Sequence, residues 1–419
     1  MLPQQQPTAR RRLSQAELDM IIQSHERYAS GRPGGKRASL RFVDFSGLDF
    51  SQRDLSDADL SASTFDGARM AGTKLDRANL FGSDLRTADL RGASMVRADL
   101  RGACLRGANL TNADLTKADF REGQVALPDR KTGLASLRHE TRVGEIDSAI
   151  LKGATLDESQ LEGASAFAAD FSDCSLRGAK LAGANLKDAN LGGANMEGAD
   201  VAGCNLENAN LEAAVLTGVD VSSAKTMGAK FARVLNAPSD EAKALAPELR
   251  AAIEGHEAWR RTGGKEGAPA KLDGKDLRPL FDRLRQAKLT AANLQGACLV
   301  GMDLTGAELQ GANLERADLR GASLKGADLR GARLTGATLN KADLRLALLA
   351  GLPLGPDRFA PVSLAGASLR YVQAQAADFT GAILDGADLL GADFTGALVA
   401  GVSLKSADPG AAIGLETPR

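Results

Sequence analysis

The sequence predicts an all-β solenoid, in which short strands wind into successive coils around one axis. Leucine returns every five residues over long stretches, and a small residue, usually alanine, comes two positions before each leucine. With 46 glycines and only 4% aromatic residues, the composition suits a thin, repetitive interior better than a thick globular core. The length of 419 residues also favours a repeat architecture or several domains over one ordinary core.

The five-residue period matches neither an α-helix nor a simple strand, which repeat at about 3.6 and about 2 residues. Positions two apart point to the same side of an extended strand. A strand of about three residues followed by a two-residue corner would therefore turn leucine and alanine inward and polar residues outward. In the most regular stretch, 309–339, the predicted core leucines are Leu309, Leu314, Leu319, Leu324, Leu329, Leu334 and Leu339.

The motif A(D/N)Lxx, as in ADLRG at 318–322 and ANLTN at 108–112, resembles that of the pentapeptide-repeat proteins. The resemblance covers nearly all of 38–231 and 272–404. It implies a right-handed quadrilateral β-helix, four-sided with four pentapeptides in each coil. The residues themselves establish only the period, so the number of sides rests on the resemblance.

Two short α-helices are predicted to cap or link the arrays. In the segment 13–29, Ser14 and Glu17 form a capping-box pair that starts a helix. The stretch ELRAAIEGHEAWRR at 248–261 matches ELDMIIQSHERY at 17–28. Because the end of a solenoid exposes unpaired backbone, we expect both helices to cover the first coil of an array. The capping residues are Leu18, Ile22, His25, Tyr28, Leu249, Ile253, His256 and Trp259.

These interruptions define the predicted organisation of the chain. It consists of an N-terminal tail and capping helix (1–37), array 1a (38–125), an irregular insertion (126–150), array 1b (151–231), a helical linker (232–271), array 2 (272–404) and a C-terminal tail (405–419). The tripeptide PDR occurs at 128–130 and again in the irregular stretch 353–361. With the matching helices, this indicates a tandem duplication of a helix-plus-array unit.

We expect no catalytic residues, no cofactor and no metal site. The four cysteines form no CxxC pair, and the recurring G-x4-G lacks the Lys-Ser/Thr of a phosphate-binding loop. His25 and His256 have no accompanying cluster of carboxylates or cysteines, so packing against the first coil is favoured over metal ligation. An enzyme would need a site in the irregular segments, where no candidate residues stand out.

Charge distinguishes one part of the surface. The net charge of −1 gives no general attraction to nucleic acid or to anionic membranes. In array 1a, acidic and basic columns alternate, which indicates a solvated wall of ion pairs. Between Lys187 and Lys225, by contrast, every charge is negative. This candidate partner-binding surface, here called the acidic surface, consists of Asp188, Glu197, Asp200, Glu207, Glu212 and Asp220.

The leading functional prediction is a non-enzymatic scaffold that presents the faces of a rigid β-helix to a protein partner. The resemblance implies an alternative, because gyrase-protecting members look like an acidic DNA rod and bind topoisomerases in its place. The alternative is therefore a DNA-mimicking modulator of DNA gyrase or topoisomerase that uses the acidic surface. Only Asp200 and Asp220 are twenty residues apart, which favours a patch over two phosphate-like rails.

The remaining expectations concern partners and location. We expect a protein partner, no direct binding of nucleic acid or membrane, and a monomer or a homodimer formed through an exposed C-terminal coil. No run approaches the roughly 18 apolar residues of a membrane span, and the start of the chain lacks the apolar run of a secretory signal. A cytoplasmic location is therefore expected.

Overall fold

The computed structural model describes residues 10–129, 133–281, 283–356 and 358–415. The chain divides into two compact units, Met1–Ala237 (unit 1) and Pro238–Arg419 (unit 2). Each unit has its own hydrophobic core. In each, a helix precedes a stack of coils, and a β-hairpin interrupts the stack. The architecture is a solenoid, as the period predicts.

The coils of unit 1 repeat every twenty residues. Parallel β-bridges connect Ser39 to Asp59 and Asp59 to Asn79, and the same spacing continues along the stack. Asp59 donates its amide hydrogen to the Ala38 carbonyl at 2.9 Å and accepts from the Leu40 amide at 2.7 Å. Each regular coil contains four two-residue turns, with one bridge residue between successive turns. Backbone groups thus join the coils, and outward side chains lie in columns.

The interior of the coils is filled by the large and small residues of the period. The leucines of the stretch 309–339 are completely buried, and so is a small residue such as Ala322. Full burial of a leucine side chain stabilises a fold by about 1.5–3 kcal/mol relative to leaving it exposed. The repeated pair of one large and one small residue therefore holds the axis together along its whole length.

The second residue of nearly every turn in the coils has a positive φ, which explains the high glycine content. In one turn column of unit 2, Gly326 and Leu346 have φ angles of 64° and 60°. The Gly326 amide bonds to Arg345, the residue next to Leu346 in the following coil. Glycine adopts this conformation readily, whereas other residues are strained by about 1–2 kcal/mol.

Unit 1 begins with strand β1 (Arg11–Arg12) and helix α1 (Gln15–Ala29). β1 pairs in parallel with strand β2 (Val43–Asp44) of the first coil. Helix α1 buries Leu18 and Ile22 in the same core cluster as the coils. The N-terminal segment therefore covers the start of the first array.

A hairpin of β3 (Gly123–Asp129) and β4 (Gly133–Arg142) interrupts the stack of unit 1. The predicted interruption, 126–150, is longer than the observed one at its C-terminal end. The coil has already resumed at Ile146, which is fully buried, with Gly144 in the preceding small position. Glycine is required there because a Cβ atom would lie 2.2 Å from a backbone carbonyl oxygen.

Unit 2 begins with helices α2 (Asp240–Ala244) and α3 (Ala246–Arg261). Helix α3 buries Leu249 and Ile253 in the core of this unit. A 3-10 turn at Arg278–Leu280 follows in the first coil. This coil is longer than the regular ones, since its first bridges join residues twenty-two apart.

Later in unit 2, β5 (Leu352–Gly355) and β6 (Arg358–Ala360) form a second antiparallel hairpin. It overlaps the irregular stretch predicted at 353–361 and begins one residue before it, at Leu352. Beyond array 2, Ile413 forms a bridge with Asp393. No helix among the described residues is long and apolar enough to span a bilayer.

Candidate partner-binding surface

The six residues of the acidic surface lie on different sides of the coil in unit 1. Residues twenty apart share a column, so Glu207 stacks on Lys187, and the two form an ion pair at 3.3 Å. Asp188 belongs to the same turn as Lys187, while Glu212 lies at the next turn and Glu197 at the one after. The structure therefore spreads these carboxylates around the coil rather than in one row.

Asp200 and Asp220 occupy the strand position between the turn column of Glu197 and the turn column that follows it. A β-bridge joins Lys180 to Asp200, but in the described part of the chain none joins Asp200 to Asp220. Hydrogen bonds from the side chain and amide of Ser222 lower the pKa of the exposed Asp220. Among the six acids, the one pair that is twenty residues apart therefore lies where this column of β-bridges ends.

Most acids of the acidic surface form no ion pair among the described residues. Asp188 accepts a hydrogen bond from the neutral amide of Asn208 at 3.0 Å. Within the described ranges, no ion pair involves Glu197, Asp200 or Glu212, and none involves Asp220. Of the six acids, only Glu207 has a cationic partner there.

Elsewhere the arrays neutralise their own charges through the motif Asp-Leu-Arg. At Asp318 and Arg320, the guanidinium donates from Nε to Oδ1 at 2.8 Å and from Nη2 to Oδ2 at 2.6 Å. Such paired, charge-assisted bonds fix both side chains. The same arrangement occurs at Asp84–Arg86, Asp89–Arg91, Asp99–Arg101, Asp276–Arg278, Asp328–Arg330 and Asp343–Arg345, and at Asp119–Arg121 with Phe120 in place of the leucine.

In unit 1, the buried His25 side chain connects α1 to two backbone groups of the array. Its Nδ1 accepts the amide hydrogen of Ala38 at 3.0 Å, and its Nε2 donates to the carbonyl of Ser56 at 2.9 Å. Because a carbonyl can only accept and an amide can only donate, the ring is neutral with its proton on Nε2. Neither nitrogen is left for a metal.

Unit 2 repeats this arrangement with His256. Nδ1 accepts from the Ala270 amide at 3.0 Å, and Nε2 donates to the Thr290 carbonyl at 3.0 Å. Burial lowers the pKa of His256. The ring of Trp259 stacks on this histidine at 5.5 Å between centroids, and Tyr28 stacks in the same way on the histidine of unit 1. The aromatic residue of each helix therefore packs on the imidazole.

Two polar residues of α1 that sequence reasoning missed also bind the first coil. The Gln15 side chain accepts from the Asp49 amide at 2.9 Å and donates to the Asp49 carbonyl at 2.8 Å, as a neighbouring strand would. Glu26 accepts from the Asp54 amide at 3.3 Å and from Arg53 Nε at 2.8 Å. A glutamine at the first position of a capping helix was the signal available in the sequence.

Cys104 and Cys204 are poor nucleophiles. The Cys104 thiol donates to the Glu145 carboxylate at 3.3 Å, and burial raises its pKa to about 11. Burial also raises the pKa of Cys204 to about 11. Both thiols are therefore protonated at neutral pH. Across the described ranges, no three or more His, Cys, Asp and Glu side chains are grouped so as to hold a metal.

The last coil of unit 2 is partly covered. Leu398 is 60% exposed, and Val399 and Leu404 of the same coil are only partly buried. Past the predicted array, Ile413 pairs with the coil and Leu415 is buried in the core cluster. The C-terminal tail thus shields one side of the coil that was expected to be exposed.

Comparison with known proteins identifies the repeat. The family model described as pentapeptide repeats matches eight copies, over 54–92, 93–124, 169–208, 194–231, 283–321, 312–351 and 363–408. No curated protein sequence matches the chain.

Three solved structures illustrate the likeness. HetL, a pentapeptide repeat protein involved in heterocyst differentiation regulation from Nostoc sp. strain PCC 7120, is 20% identical over 90% of this chain and 92% of its own, with a TM-score of 0.19. Rfr23 from Cyanothece 51142 is 26% identical over 33% and 86%, with a TM-score of 0.23. A trypsin-treated form of QnrB1, a plasmid-mediated fluoroquinolone resistance protein, is 16% identical over 51% and 96%, with a TM-score of 0.27. At these TM-scores the superpositions support no functional argument.

Proposed function

The chain belongs to the pentapeptide-repeat family, and we propose that it is a non-enzymatic scaffold that binds another protein through the side-chain columns of its coils. The backbone groups of neighbouring coils form hydrogen bonds with one another. A partner is therefore recognised by the side chains, which repeat at a spacing of about 4.8 Å from coil to coil. Because the coils already hold these side chains in place, little conformational entropy is lost on binding, which favours affinity.

The observation that carries this proposal is that most acids of the acidic surface form no ion pair among the described residues. Asp318 pairs with Arg320 in the repeat motif, whereas Glu197, Asp200 and Glu212 have no ion-pair partner among the described residues. Unpaired charges on a rigid surface attract a cationic partner and raise its association rate. We therefore propose that a protein with a basic surface binds at 188–220.

Affinity capture with matched variants tests this proposal. Full-length protein, the triple variant Glu197→Gln/Asp200→Asn/Glu212→Gln and a control are immobilised and exposed to lysate of the native cell. The control, Asp240→Asn/Glu241→Gln/Glu254→Gln, removes the same charge from the helices of unit 2. We expect the acidic-surface variant to lose at least one captured protein about tenfold, an effect of about 1.4 kcal/mol, while the control retains it. Equal capture by all three proteins would contradict the proposal.

The alternative candidate is a DNA-mimicking modulator of DNA gyrase or topoisomerase. The unpaired acids favour this alternative. However, the six acids are distributed over three turns and one strand position, whereas a DNA mimic would present two continuous rows of negative charge like the phosphates of the two strands. A gyrase supercoiling assay with a quinolone distinguishes the two candidates. Protection by the full-length protein that the triple variant lacks would support the alternative, and unchanged supercoiling at micromolar protein would eliminate it.

We also propose that the coil is right-handed and four-sided. Four turns in each regular twenty-residue coil and the family assignment support this geometry. A crystal structure tests it directly, since a left-handed or three-sided coil would contradict the proposal.

For the oligomeric state, we propose a monomer or a homodimer formed through the last coil of unit 2, where Leu398 is exposed. Light scattering gives the mass of the wild-type protein. If the protein is a dimer, Leu398→Lys should convert it to a monomer, and a dimer that survives this substitution would place the interface elsewhere.

A further inference from the structure

We infer that unit 1 binds an extended acidic peptide, as an added β-strand, in the groove between α1 and the first coil. This peptide groove lies at the N-terminal end of unit 1, whereas the acidic surface lies near the other end of the same stack. It is therefore a second binding site, independent of the one proposed above.

The first coil of unit 1 has an open edge. Within the stack, each bridge residue directs its N–H and C=O to the preceding coil, as Asp59 does. The first coil has no preceding coil, so the corresponding groups of its four bridge residues form an open edge. Unpaired strand edges accept further strands. These bridge residues are Ser39, Asp44, Asp49 and Asp54.

Three of the four positions are occupied by the N-terminal segment. β1 pairs with Asp44, the Gln15 side chain binds both backbone groups of Asp49, and Glu26 accepts the Asp54 amide. Ser39 differs from them: in the described part of the chain, nothing hydrogen-bonds to its N–H or its C=O, and the residue is exposed. One strand position of the cap is thus open.

A groove of about 540 Å³ lies along this open edge. Ser39 and Leu40 line one side, and Met20 and Ile21 of α1 line the other. Met20 is 65% exposed. Because successive side chains of a strand alternate, a bound strand would place every second residue against these apolar groups.

The charge of the groove selects the partner. Among the described residues, Arg11, Lys36 and Arg37 line it, with Glu17 as the single acid, and Glu17 forms an ion pair with Arg11 at 3.6 Å. Lys36 forms no ion pair within the described ranges, and Arg37 donates to the Asp57 carbonyl at 2.6 Å rather than to a carboxylate. In a bound strand, the residues that alternate with the apolar ones would face these cations, and acidic side chains suit those positions. The groove therefore fits a strand in which acidic and apolar residues alternate.

The test is fluorescence anisotropy of a labelled octapeptide with full-length protein. The probe alternates aspartate and valine, and a second probe of the same sequence is N-methylated along one edge, so that it cannot form the backbone ladder. We expect saturable binding of the first probe and binding about tenfold weaker for the second, because ladder hydrogen bonds are lost. The absence of binding up to about 1 mM protein, or equal binding of both probes, would overturn the inference.

Protein variants locate the site. Lys36→Glu/Arg37→Glu should weaken binding about tenfold, whereas Lys265→Glu/Lys405→Glu, which changes the net charge equally, should leave it unchanged. Ser39→Pro removes the N–H and should weaken binding, while Ser39→Ala keeps it. If Ser39→Pro lowers the thermal midpoint, the N-methylated probe decides the question, because it leaves the protein unaltered. Binding that appears only after deletion of residues 2–9 would assign the groove to the chain itself and overturn the inference.

Discussion

At the scale of single residues, the imidazole at each helix–array junction has the most specific role. His256 accepts from one backbone amide and donates to one backbone carbonyl. A second proton on this ring would point at the amide hydrogen of Ala270, so the charged form breaks the contact that the neutral form makes. The same reasoning applies to the bonds of His25.

Acidification should therefore weaken the cap of unit 2. Burial lowers the pKa of His256 below the ordinary 6.5. The unfolded state then binds the proton more readily, so the stabilisation is complete above pH 6.5 and is lost as the pH falls through the lowered pKa. Urea unfolding followed by Trp259, the only tryptophan, should show a lower midpoint at pH 5.5 than at pH 7.5. The loss cannot exceed about 1.4 kcal/mol for each pH unit crossed.

His256→Gln is the control for this titration. It should be less stable than the wild type at pH 7.5 but should lose less on acidification. Carboxylates, which titrate at about pH 4, contribute little in this interval. A wild-type midpoint that is the same at both pH values would contradict the prediction.

The core column makes a second residue-scale prediction. Leu324 is completely buried, whereas Leu346 is 56% exposed in the same unit. Leu324→Asp should unfold unit 2, because an isolated charge would be placed in the apolar axis. Leu346→Asp should change the free energy of unfolding by about 0.5 kcal/mol or less. Thermal unfolding of both variants tests this, and equal midpoints for Leu324→Asp and the wild type would show that the inward assignment is wrong.

At the scale of elements, the turns connect the five-residue period to the winding of the coil. Their second residue has a positive φ, at Gly326 as at Leu346 in the next coil of the same column. A Cβ atom added at Gly326 would contact nothing within 4 Å. Backbone conformation alone therefore determines which residue is favoured there.

Opposite substitutions in this column should have opposite effects. Gly326→Ala should destabilise unit 2 by about 1–2 kcal/mol, because alanine is strained at positive φ. Leu346→Gly should remove that strain, and the gain is offset in part by the greater flexibility of glycine in the unfolded chain. Urea midpoints followed by Trp259 fluorescence measure both. A Gly326→Ala variant as stable as the wild type would refute the assignment of the turn.

The predictable elements are those with a local signal. Ser14 and Glu17 identify the start of α1 because the capping box is a short-range pattern, and both of its hydrogen bonds are present. The resumption of the coil at Ile146 was missed because Gly144 stands where alanine is usual. The backbone bonds of Gln15 were also missed, since they depend on the position of a coil more than thirty residues away.

At the scale of the whole molecule, the two units share one plan. In unit 1 the histidine of α1 binds the amide of Ala38 and the carbonyl of Ser56. In unit 2 the histidine of α3 binds the equivalent groups of Ala270 and Thr290. In both units Nδ1 accepts a hydrogen bond and Nε2 donates one. Similarity between the repeats would not by itself require the histidines to have the same roles. A tandem duplication of a capped array explains this agreement.

Separate cores predict separate unfolding. Leu85 belongs to the core cluster of unit 1 and Leu324 to that of unit 2, and both are fully buried. Because solenoid coils are stabilised by their neighbours, a charge in one core should destabilise the coils of that unit. Leu85→Asp should lower the urea midpoint of part of the far-UV circular dichroism signal and leave the Trp259 transition where it is in the wild type. Leu324→Asp should abolish the Trp259 transition. If Leu85→Asp shifted the Trp259 midpoint instead, the two arrays would unfold as one cooperative body, and the expectation of separate unfolding would be wrong.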